Sequence, residues 1–233
     1  IESYATGDVT GNTAQGGLVG VNYPTGTITR SYATGSVTGT GITQFPTAGS
    51  VGGLVGQAGD DYSSGGGTIR DSYATGRVLD MGDRSPTYVL YHNGGLVGMT
   101  LSNTHIINSY SSSAVSGEGI LGGLVGYFYN PNTITNSYWD TQTSGRATSA
   151  GGVGKTTAQM QQQATFTGWD FMNTWRIVEG SSYPLLRALT QGKITLDVTA
   201  GNARKVYDGL AVNSIGDLTN LGFRIIPGGT LVS

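Results

Sequence analysis

Hydrophobic residues in this chain stand in short clusters between Gly, Ser and Thr, and two of these clusters recur. The first block, SYATG, occurs with two weaker forms at Ser3–Gly7, Ser31–Gly35, Ser72–Gly76, Ser109–Ser113 and Ser137–Thr141. The second block, GGLVG, occurs at Gly16–Gly20, Gly52–Gly56, Gly94–Gly98 and Gly122–Gly126. The blocks alternate without exception, which indicates one structural unit repeated along the chain.

The spacing of the blocks sets the length of this unit. The Tyr of the first block and the Leu of the second are 14 residues apart in five of the eight intervals, so the basic period is 28. The other three intervals are 22, 19 and 23 residues, which amounts to insertions of 8, 5 and 9. Insertions that leave the flanking blocks intact are typical of loops on a scaffold.

Each repeat contains short β-compatible pieces that are too small to form a sheet alone. If equivalent pieces stack about 4.8 Å apart, every backbone N–H and C=O finds a partner in the next coil. We therefore predict an all-β fold, a right-handed parallel β-helix of about five 28-residue coils, about 24 Å of stack by the same spacing. Gly at the block edges suits corners with positive φ or close backbone approach. The alternative is a sandwich of hairpins, which favours strands every 8–12 residues.

Composition narrows the function classes. The chain of 233 residues has 40 Gly and 6 Pro without a three-residue period, so collagen is excluded. Its net charge of −2 lacks the basic footprint of nucleic-acid binders. No apolar run predicts membrane insertion. Cys is absent, which excludes disulfides and Cys-based zinc sites. The chain starts at Ile1 in mid-pattern, so we interpret it as a piece of a longer polypeptide.

Alternating GGLVG and SYATG blocks resemble the GLUG repeat, over about residues 1–150. That repeat occurs in large secreted bacterial surface proteins similar to filamentous haemagglutinin, and in non-catalytic parts of some immunoglobulin-A peptidases. The resemblance implies an extracellular adhesin-type segment, exported by a two-partner route through an outer-membrane transporter. It does not name a ligand.

The stretch AGGVGKTTA, residues 150–158, marks a change in the pattern. It looks like a phosphate-binding loop, but the Gly that such a loop needs five residues before Gly154 is Ser149. We interpret Gly151–Gly154 as a worn GGLVG block, because Val153 follows Tyr138 by 15 residues instead of 14. Lys155 is then expected to face solvent.

A capping segment is predicted over residues 151–192. Thr156 and Gln159 form a capping box, and the helix formers Met160 to Ala164 follow. A short helix here would cover the open last coil. We predict a cap core from the apolar residues that follow, with an aromatic ligand platform as the alternative: Phe166, Trp169, Phe171, Trp175, Ile177, Tyr183, Leu185 and Leu186.

The last part of the chain, residues 193–233, reads as a small β module. KITLDVT alternates as a strand does, and FRIIPGG offers strand and turn signals. The stretch ARKVYDG resembles the YDG or MBG modules that follow repeats in bacterial adhesins. The module is expected to be partial.

Little in the sequence points to catalysis. His92 and His105 have no metal-ligand partner at i+2 or i+4, and we interpret both as surface loop residues. No strand-to-helix turn carries a Gly-x-Ser-x-Gly elbow. We predict no catalytic residue, no metal site and no cofactor.

The insertions near residues 40–50 and 79–93 fall at the same point of adjacent coils, so stacking should place them together. We predict a glycan- or protein-binding patch there, because amphipathic rings beside charges suit such ligands. Its contacts would be Phe45, Asp80, Asp83, Arg84, Tyr88, Tyr91 and His92. Solvated loop charges and the carboxylates of a polysaccharide-cutting β-helix enzyme are the alternatives.

The Tyr of each first block could form an exposed adhesive ladder or an internal stack, and the internal stack is our prediction. We conclude from the sequence that the chain is a structural and adhesive segment of a secreted bacterial surface protein. It would be a stiff stalk, not an enzyme, whose loops contact a host or community surface glycan or protein. The alternative is a polysaccharide lyase or glycosidase on the same scaffold.

Overall fold

The computed structural model describes residues 2–40, 49–59, 66–81, 91–101, 103–129, 133–189, 196–199 and 224–227. The chain divides into two compact units, residues 1–189 and 190–233. The second unit contains an antiparallel pair of strands, Leu196–Thr199 with Arg224–Pro227. The first unit carries the repeats and is described below.

Five short strands form each coil of the first unit, and four consecutive coils are complete. Coil 1 contains β1 (Tyr4–Ala5), β2 (Val9–Gly11), β3 (Ala14–Gly16), β4 (Val19–Asn22) and β5 (Thr27–Thr29). Coil 2 contains β6 (Tyr32–Ala33), β7 (Val37–Gly39), β8 (Ser50–Gly52), β9 (Val55–Ala58) and β10 (Thr68–Arg70). Coil 3 contains β11 (Tyr73–Ala74), β12 (Val78–Asp80), β13 (His92–Gly94), β14 (Val97–Thr100) and β15 (His105–Ile107). Coil 4 contains β16 (Tyr110–Ser111), β17 (Val115–Gly117), β18 (Ile120–Gly122), β19 (Val125–Phe128) and β20 (Thr133–Thr135).

Further elements follow the four coils. They are β21 (Tyr138–Asp140), α1 (Thr141–Ser144), β22 (Val153–Lys155), α2 (Thr157–Met160), a 3₁₀ helix (Gln163–Thr165), β23 (Trp175–Arg176) and β24 (Leu185–Leu186). Strands β23 and β24 pair antiparallel. Within the described residues, no helix has the length and apolar character needed to cross a membrane.

Equivalent strands of successive coils pair parallel and in register, which makes five stacked sheets. Tyr4 pairs with Tyr32, and Tyr32 with Tyr73. Ile28 pairs with Ile69 in the same way. The sheet that begins with β1 has six strands and is called the tyrosine sheet; the other four have four strands each. The predicted parallel β-helix is therefore confirmed, because one 28-residue repeat makes one rung of every sheet.

Aliphatic residues fill the inside of the coils. One cluster joins the Ile, Leu and Val rows with the Ala of the tyrosine sheet: Ile28, Ile69, Ile106, Leu54, Leu96, Leu124, Val55, Val97, Val125, Ala33 and Ala74. A second cluster contains Val37, Val51, Val78 and Val115. Neighbouring residues of a strand point to opposite faces, so a buried Ala33 turns Tyr32 outward. The prediction that the Tyr row is an internal stack is therefore correct in part: the rings stack, and Tyr73, Tyr110 and Tyr138 are buried, but the row lies outside the coils rather than inside them.

The GGLVG glycines are required by close backbone approach. A Cβ at Gly53 would collide with the carbonyl oxygen of Gly95 and lie 2.8 Å from the Cβ of Ala74. The left-handed corner of each coil instead falls on the residue before Ser-Tyr, with φ between 46° and 49° at Arg30, Asp71, Asn108 and Asn136. Of the two roles predicted for the block glycines, close approach is the one that Gly53 has.

The Ser of each first block links neighbouring coils. The backbone N–H of Ser31 donates to the Oγ of Ser72, and the N–H of Ser72 donates to the Oγ of Ser109, both at 3.2 Å. The Ser109 Oγ in turn donates to the carbonyl oxygen of Ile107 at 2.9 Å. Each hydroxyl therefore serves as acceptor and donor at a buried corner.

Residues 148–155 end the stack, and they do so differently from the prediction. The Ser149 Oγ accepts hydrogen bonds from the N–H groups of Leu124 (3.1 Å) and Val125 (2.9 Å). One coil earlier, the equivalent N–H groups are those of Leu96 and Val97, and both donate to the carbonyl oxygen of Leu124. Ser149 thus occupies the GGLVG position, and Val153 pairs with Tyr138 in the tyrosine sheet. The assignment of Gly151–Gly154 as a worn GGLVG block is wrong, because the last turn returns to the tyrosine sheet after 15 residues and adds no strand to the other four sheets.

Trp139 closes the interior at this end of the stack. It occupies the position of Ala33 and Ala74 in the tyrosine sheet, and its ring packs in the inner cluster. Its Nε1 donates to the carbonyl oxygen of Arg146 at 3.1 Å. The Trp139 ring covers the inner aliphatic cluster where the side chains of a further coil would otherwise lie.

The capping segment begins as predicted. The Thr156 Oγ1 accepts from the N–H of Gln159 at 3.2 Å, and the Gln159 side chain accepts from the N–H of Thr156 at 3.0 Å. The helix is shorter than predicted and ends at Met160, since Gln162 is extended and Met160 is buried in the aromatic cluster. Lys155, within the phosphate-loop lookalike, is half-buried in strand β22.

Candidate functional site

Two insertions leave the scaffold side by side. Residues 41–48 join β7 to β8, and residues 82–90 lie between β12 and β13; both of these insertions are outside the described residues. Strands β7 and β12 pair with each other, as do β8 and β13. The expectation that the insertions fall on one side of adjacent coils is confirmed for their attachment points. We call the described residues at these points, 39–40, 49–50, 80–81 and 91–93, the loop-bearing edge.

Asp80 lies on the inner side of the loop-bearing edge and is hydrogen-bonded there. Its side chain is 2% exposed, and its Oδ2 accepts from the Nδ2 of Asn93 at 3.1 Å. The same Asn93 amide donates to the carbonyl oxygen of Glu118 in coil 4 at 2.8 Å. The carboxylate therefore ties strand β12 to β13 and, through Asn93, to the next coil.

Tyr91 and His92 are also buried, with 7% and 5% of their surfaces exposed. The Tyr91 ring lies directly against Gly49 of the coil before. The His92 ring packs on Tyr127 with the ring centres 4.5 Å apart. Burial lowers the pKa of His92 to about 4.

Four of the seven predicted contact residues lie outside the described residues: Phe45, Asp83, Arg84 and Tyr88. The described three, Asp80, Tyr91 and His92, come together at the loop-bearing edge but face the protein itself. Binding at this edge stays a prediction. The interpretation of His92 as a surface loop residue is wrong, because it lies buried in β13. His105 is exposed, but it lies in strand β15, where its Nδ1 is 2.6 Å from the Thr133 Oγ1.

The outward Tyr row is the second notable surface. The rings of Tyr4, Tyr32, Tyr73 and Tyr110 are stacked at 4.9–5.3 Å, with planes within 13° of parallel. The capping segment covers the row from Tyr73 onward with the predicted aromatic cluster, which includes Phe166, Trp169, Trp175 and Leu186. The prediction of a cap core is confirmed, and its location beside the Tyr row is new.

Hydrogen bonds fasten the capping segment to the coils. Tyr110 donates its hydroxyl to the carbonyl oxygen of Pro184 at 2.8 Å, and the Trp169 Nε1 donates to the carbonyl oxygen of Asn136 at 2.8 Å. The Tyr183 hydroxyl donates to the Oδ2 of the fully buried Asp140 at 2.6 Å. Burial, together with the Asp140 carboxylate, raises the pKa of Tyr183 to about 12.

Asp140 combines two roles at this junction. Its Oδ1 accepts from the backbone N–H of Gln142 (2.8 Å) and Thr143 (3.1 Å), which caps helix α1, while Oδ2 binds Tyr183. Three donors satisfy a carboxylate that burial would otherwise penalise. Sequence reasoning missed this role, although the change from SYATG to SYWDT marked the position.

The described residues contain no group of three or more His, Cys, Asp or Glu side chains placed to hold a metal ion. Among the groups that sequence analysis considered for chemistry, Asp80 is engaged by an amide and His92 packs against a phenol ring. The geometry shown here is suited to holding coils and loops in place.

Comparison with known proteins agrees with the repeat. The GLUG motif model matches residues 11–38 and 47–79, so the chain contains a GLUG-repeat region. A search of curated proteins gives no match.

Among solved structures, the chain is similar to a Bacteroides ovatus protein named a "putative immunoglobulin A1 protease". The identity is 23% and the TM-score 0.56, over 79% of this chain and 56% of that chain. At this identity the similarity shows the fold, and the chain spans 56% of that protein's length.

Proposed function

We propose that this chain is a stiff, non-catalytic stalk segment of a secreted bacterial surface protein, with adhesive contacts at its loop-bearing edge. The observation that carries the proposal is the in-register stack of five parallel sheets, interrupted by two insertions on neighbouring coils. Such a stack holds its backbone groups in hydrogen bonds along the whole axis, which resists bending. Loops on a rigid scaffold are the usual location of binding residues.

The ligand in this proposal is a surface glycan or protein of a host or of neighbouring cells. The GLUG motif supports an extracellular location. Export by a two-partner route through an outer-membrane transporter, and a YDG- or MBG-like module in residues 193–233, belong to the same proposal.

The scaffold itself supplies the experiment. In coil 1, only Asn12 and Thr13 separate β2 from β3, and in coil 4 only Glu118 and Gly119 separate β17 from β18. We would delete residues 82–90 and residues 41–48, which leaves the two-residue connections Met81-Tyr91 and Thr40-Gly49, and measure binding to a glycan array and to immobilised matrix proteins. The control shortens residues 60–65, which lie between β9 and β10 on another side of the coil.

Binding by the full chain and by the control, lost in the shortened double variant, is the expected result. Equal binding by all three chains would place adhesion elsewhere, and no binding by any would leave a stalk without adhesion. Reproducible cleavage of acidic or neutral polysaccharides by the full chain would contradict the non-catalytic part and favour the lyase or glycosidase alternative.

A further inference from the structure

His92 is buried, with an exposed fraction of 5%. Within the part of the chain that the structure describes, neither its Nδ1 nor its Nε2 has a hydrogen-bond partner. Buried polar groups in proteins are nearly always hydrogen-bonded, so such a side chain calls for an explanation. Its position at the loop-bearing edge, immediately after Tyr91, makes it part of the scaffold on which residues 82–90 are mounted.

The described residues that pair or pack with His92 carry no charge that would compensate a proton on its ring. Ser50, its register partner in coil 2, is fully buried, and its Oγ has no hydrogen-bond partner among the described residues. Ile120 is its register partner in coil 4, and Tyr127 of β19 supplies the ring that packs against the imidazole. Burial lowers the pKa of His92, and none of these three residues has a carboxylate that would raise it.

Asp80, the buried acid of the loop-bearing edge, is bound on the opposite face of strand β13. Asn93 alternates with His92 along that strand, and it is Asn93 that contacts Asp80 and the carbonyl oxygen of Glu118. Asp80 is thus held by Asn93 on the inner side, away from the face that His92 and Ser50 share.

We propose that His92 is an acid-sensitive switch built into the loop-bearing edge. A proton on the imidazole places a charge beside the Tyr127 ring and the Ser50 hydroxyl, where both ring nitrogens are buried. The coil relieves that charge by releasing β13 from its neighbours, so the described base of the loop-bearing edge loosens in acid while the stack elsewhere stays in place.

The direction and size of the effect follow from linkage. The pKa of His92 is about 4 in the folded chain, against about 6.5 for histidine in an unfolded chain, so the unfolded state binds the proton first. The contribution of His92 to stability is complete above pH 6.5 and is lost as the pH falls toward 4. By pH 5 this residue alone lowers the folding equilibrium constant about 30-fold.

The experiment uses the full chain and its two histidines. Urea unfolding, followed by Trp fluorescence at pH 7 and pH 5, compares the wild type with His92→Phe, which keeps a ring against Tyr127, and with His105→Gln as the exposed control. Between pH 7 and pH 5 we expect the loss in the folding equilibrium constant to be about 20-fold smaller for the His92→Phe variant than for the wild type. The His105→Gln variant should retain the wild-type loss.

A direct titration keeps the proposal testable if the Phe variant does not fold. The imidazole C–H signals of the wild-type chain, assigned with His105→Gln, should show His92 titrating near pH 4. A His92 midpoint near 6.5, or an acid loss unchanged in His92→Phe, would overturn the proposal. Hydrogen exchange corrected for intrinsic rates should accelerate at His92–Gly94 in acid and stay slow at Tyr110–Ser111; equal acceleration at both would also contradict it.

Discussion

Two residues of the tyrosine row, Tyr4 and Tyr110, lie in opposite environments. Tyr4 stacks on Tyr32 with 58% of its surface exposed. Tyr110 stacks on Tyr73 in the same geometry, yet it is completely buried and its hydroxyl is bound to Pro184. The repeat is the same at both places, and the difference comes from the capping segment, which reaches the row only from Tyr73 onward.

This difference separates two kinds of stabilisation. Stacking between coils is a property of the repeat and operates at every rung, covered or not. Burial is a property of the cap, whose rings remove Tyr73, Tyr110 and Tyr138 from water. Mutations in equivalent repeat positions should therefore have unequal effects, and their order tests the distinction.

The largest expected effect is at Tyr110. Tyr110→Ala removes a buried ring between Tyr73 and the cap and should cost about 3–5 kcal/mol of unfolding free energy. Tyr4→Ala removes a mostly exposed ring with one stacking partner and should cost about 1 kcal/mol or less. Urea unfolding of both variants measures the gap, and equal costs would show that the cap adds nothing to the ladder.

The next effect is at the junction between the last coil and the cap. Asp140→Ala removes the acceptor for two N–H groups of helix α1 and for Tyr183, and should cost about 2–3 kcal/mol. Tyr183→Phe removes one of these bonds and should cost about 1 kcal/mol. If both variants unfolded like the wild type, the covered end would not depend on this contact.

The difference between covered and uncovered Tyr residues should also affect the stability of the protein at high pH. Burial raises the pKa of Tyr110 and Tyr73, and burial with the Asp140 carboxylate raises that of Tyr183 to about 12. Because an unfolded Tyr ionises near pH 10, the unfolded state loses its proton first, and stability falls as the pH rises above 10.

Urea unfolding between pH 8 and pH 11.5 measures this loss. Tyr110→Phe should reduce its slope relative to the wild type, since the variant has no buried phenol at this position to keep protonated. Tyr4→Phe is the matched control on the uncovered end and should leave the slope nearly unchanged. A slope that drops equally in both variants would contradict the assigned environments.

The smallest effect is expected at the uncovered end. The Nε of Arg30 lies 2.6 Å from the Oε1 of Glu2, and both side chains are well exposed to solvent. Exposed ion pairs contribute little, so Arg30→Ala should change the unfolding free energy by about 0.5 kcal/mol or less. A loss above about 2 kcal/mol, in the same urea assay, would show that the first coil depends on this pair.

The repeat predicted most of the coil architecture, because a constant number of residues between copies places equivalent residues in register in successive coils. Identical residues 28 positions apart became register partners, as for Tyr4 with Tyr32, and the insertions fell where the intervals lengthened. The end of the stack was predicted less well. Counting from Tyr138 placed Gly151–Gly154 in the wrong sheet, because the Ser149 hydroxyl takes over the acceptor role that the Leu carbonyl of the next GGLVG block has in the other coils.

The candidate site shows a similar division. The sequence placed the two insertions together, and the structure brings Asp80, Tyr91 and His92 to their base. The sequence did not show that these side chains are buried, since burial depends on which coil and which side chains lie against them. Asn93 illustrates this, because its importance follows from two contacts, to Asp80 and to the Glu118 carbonyl, that span 13 and 25 residues.

By itself, the sequence determined the period, the order of the strands and the rows of like residues, because a parallel stack turns a regular interval directly into register. Only the tertiary structure decided that the Tyr row faces outward and that the cap lies beside it. The sequence contains Ala after three of the five Tyr and Ser after a fourth, but which residue of each pair faces inward depends on the space between sheets. Where Trp139 replaces that Ala, the same position closes the end of the core.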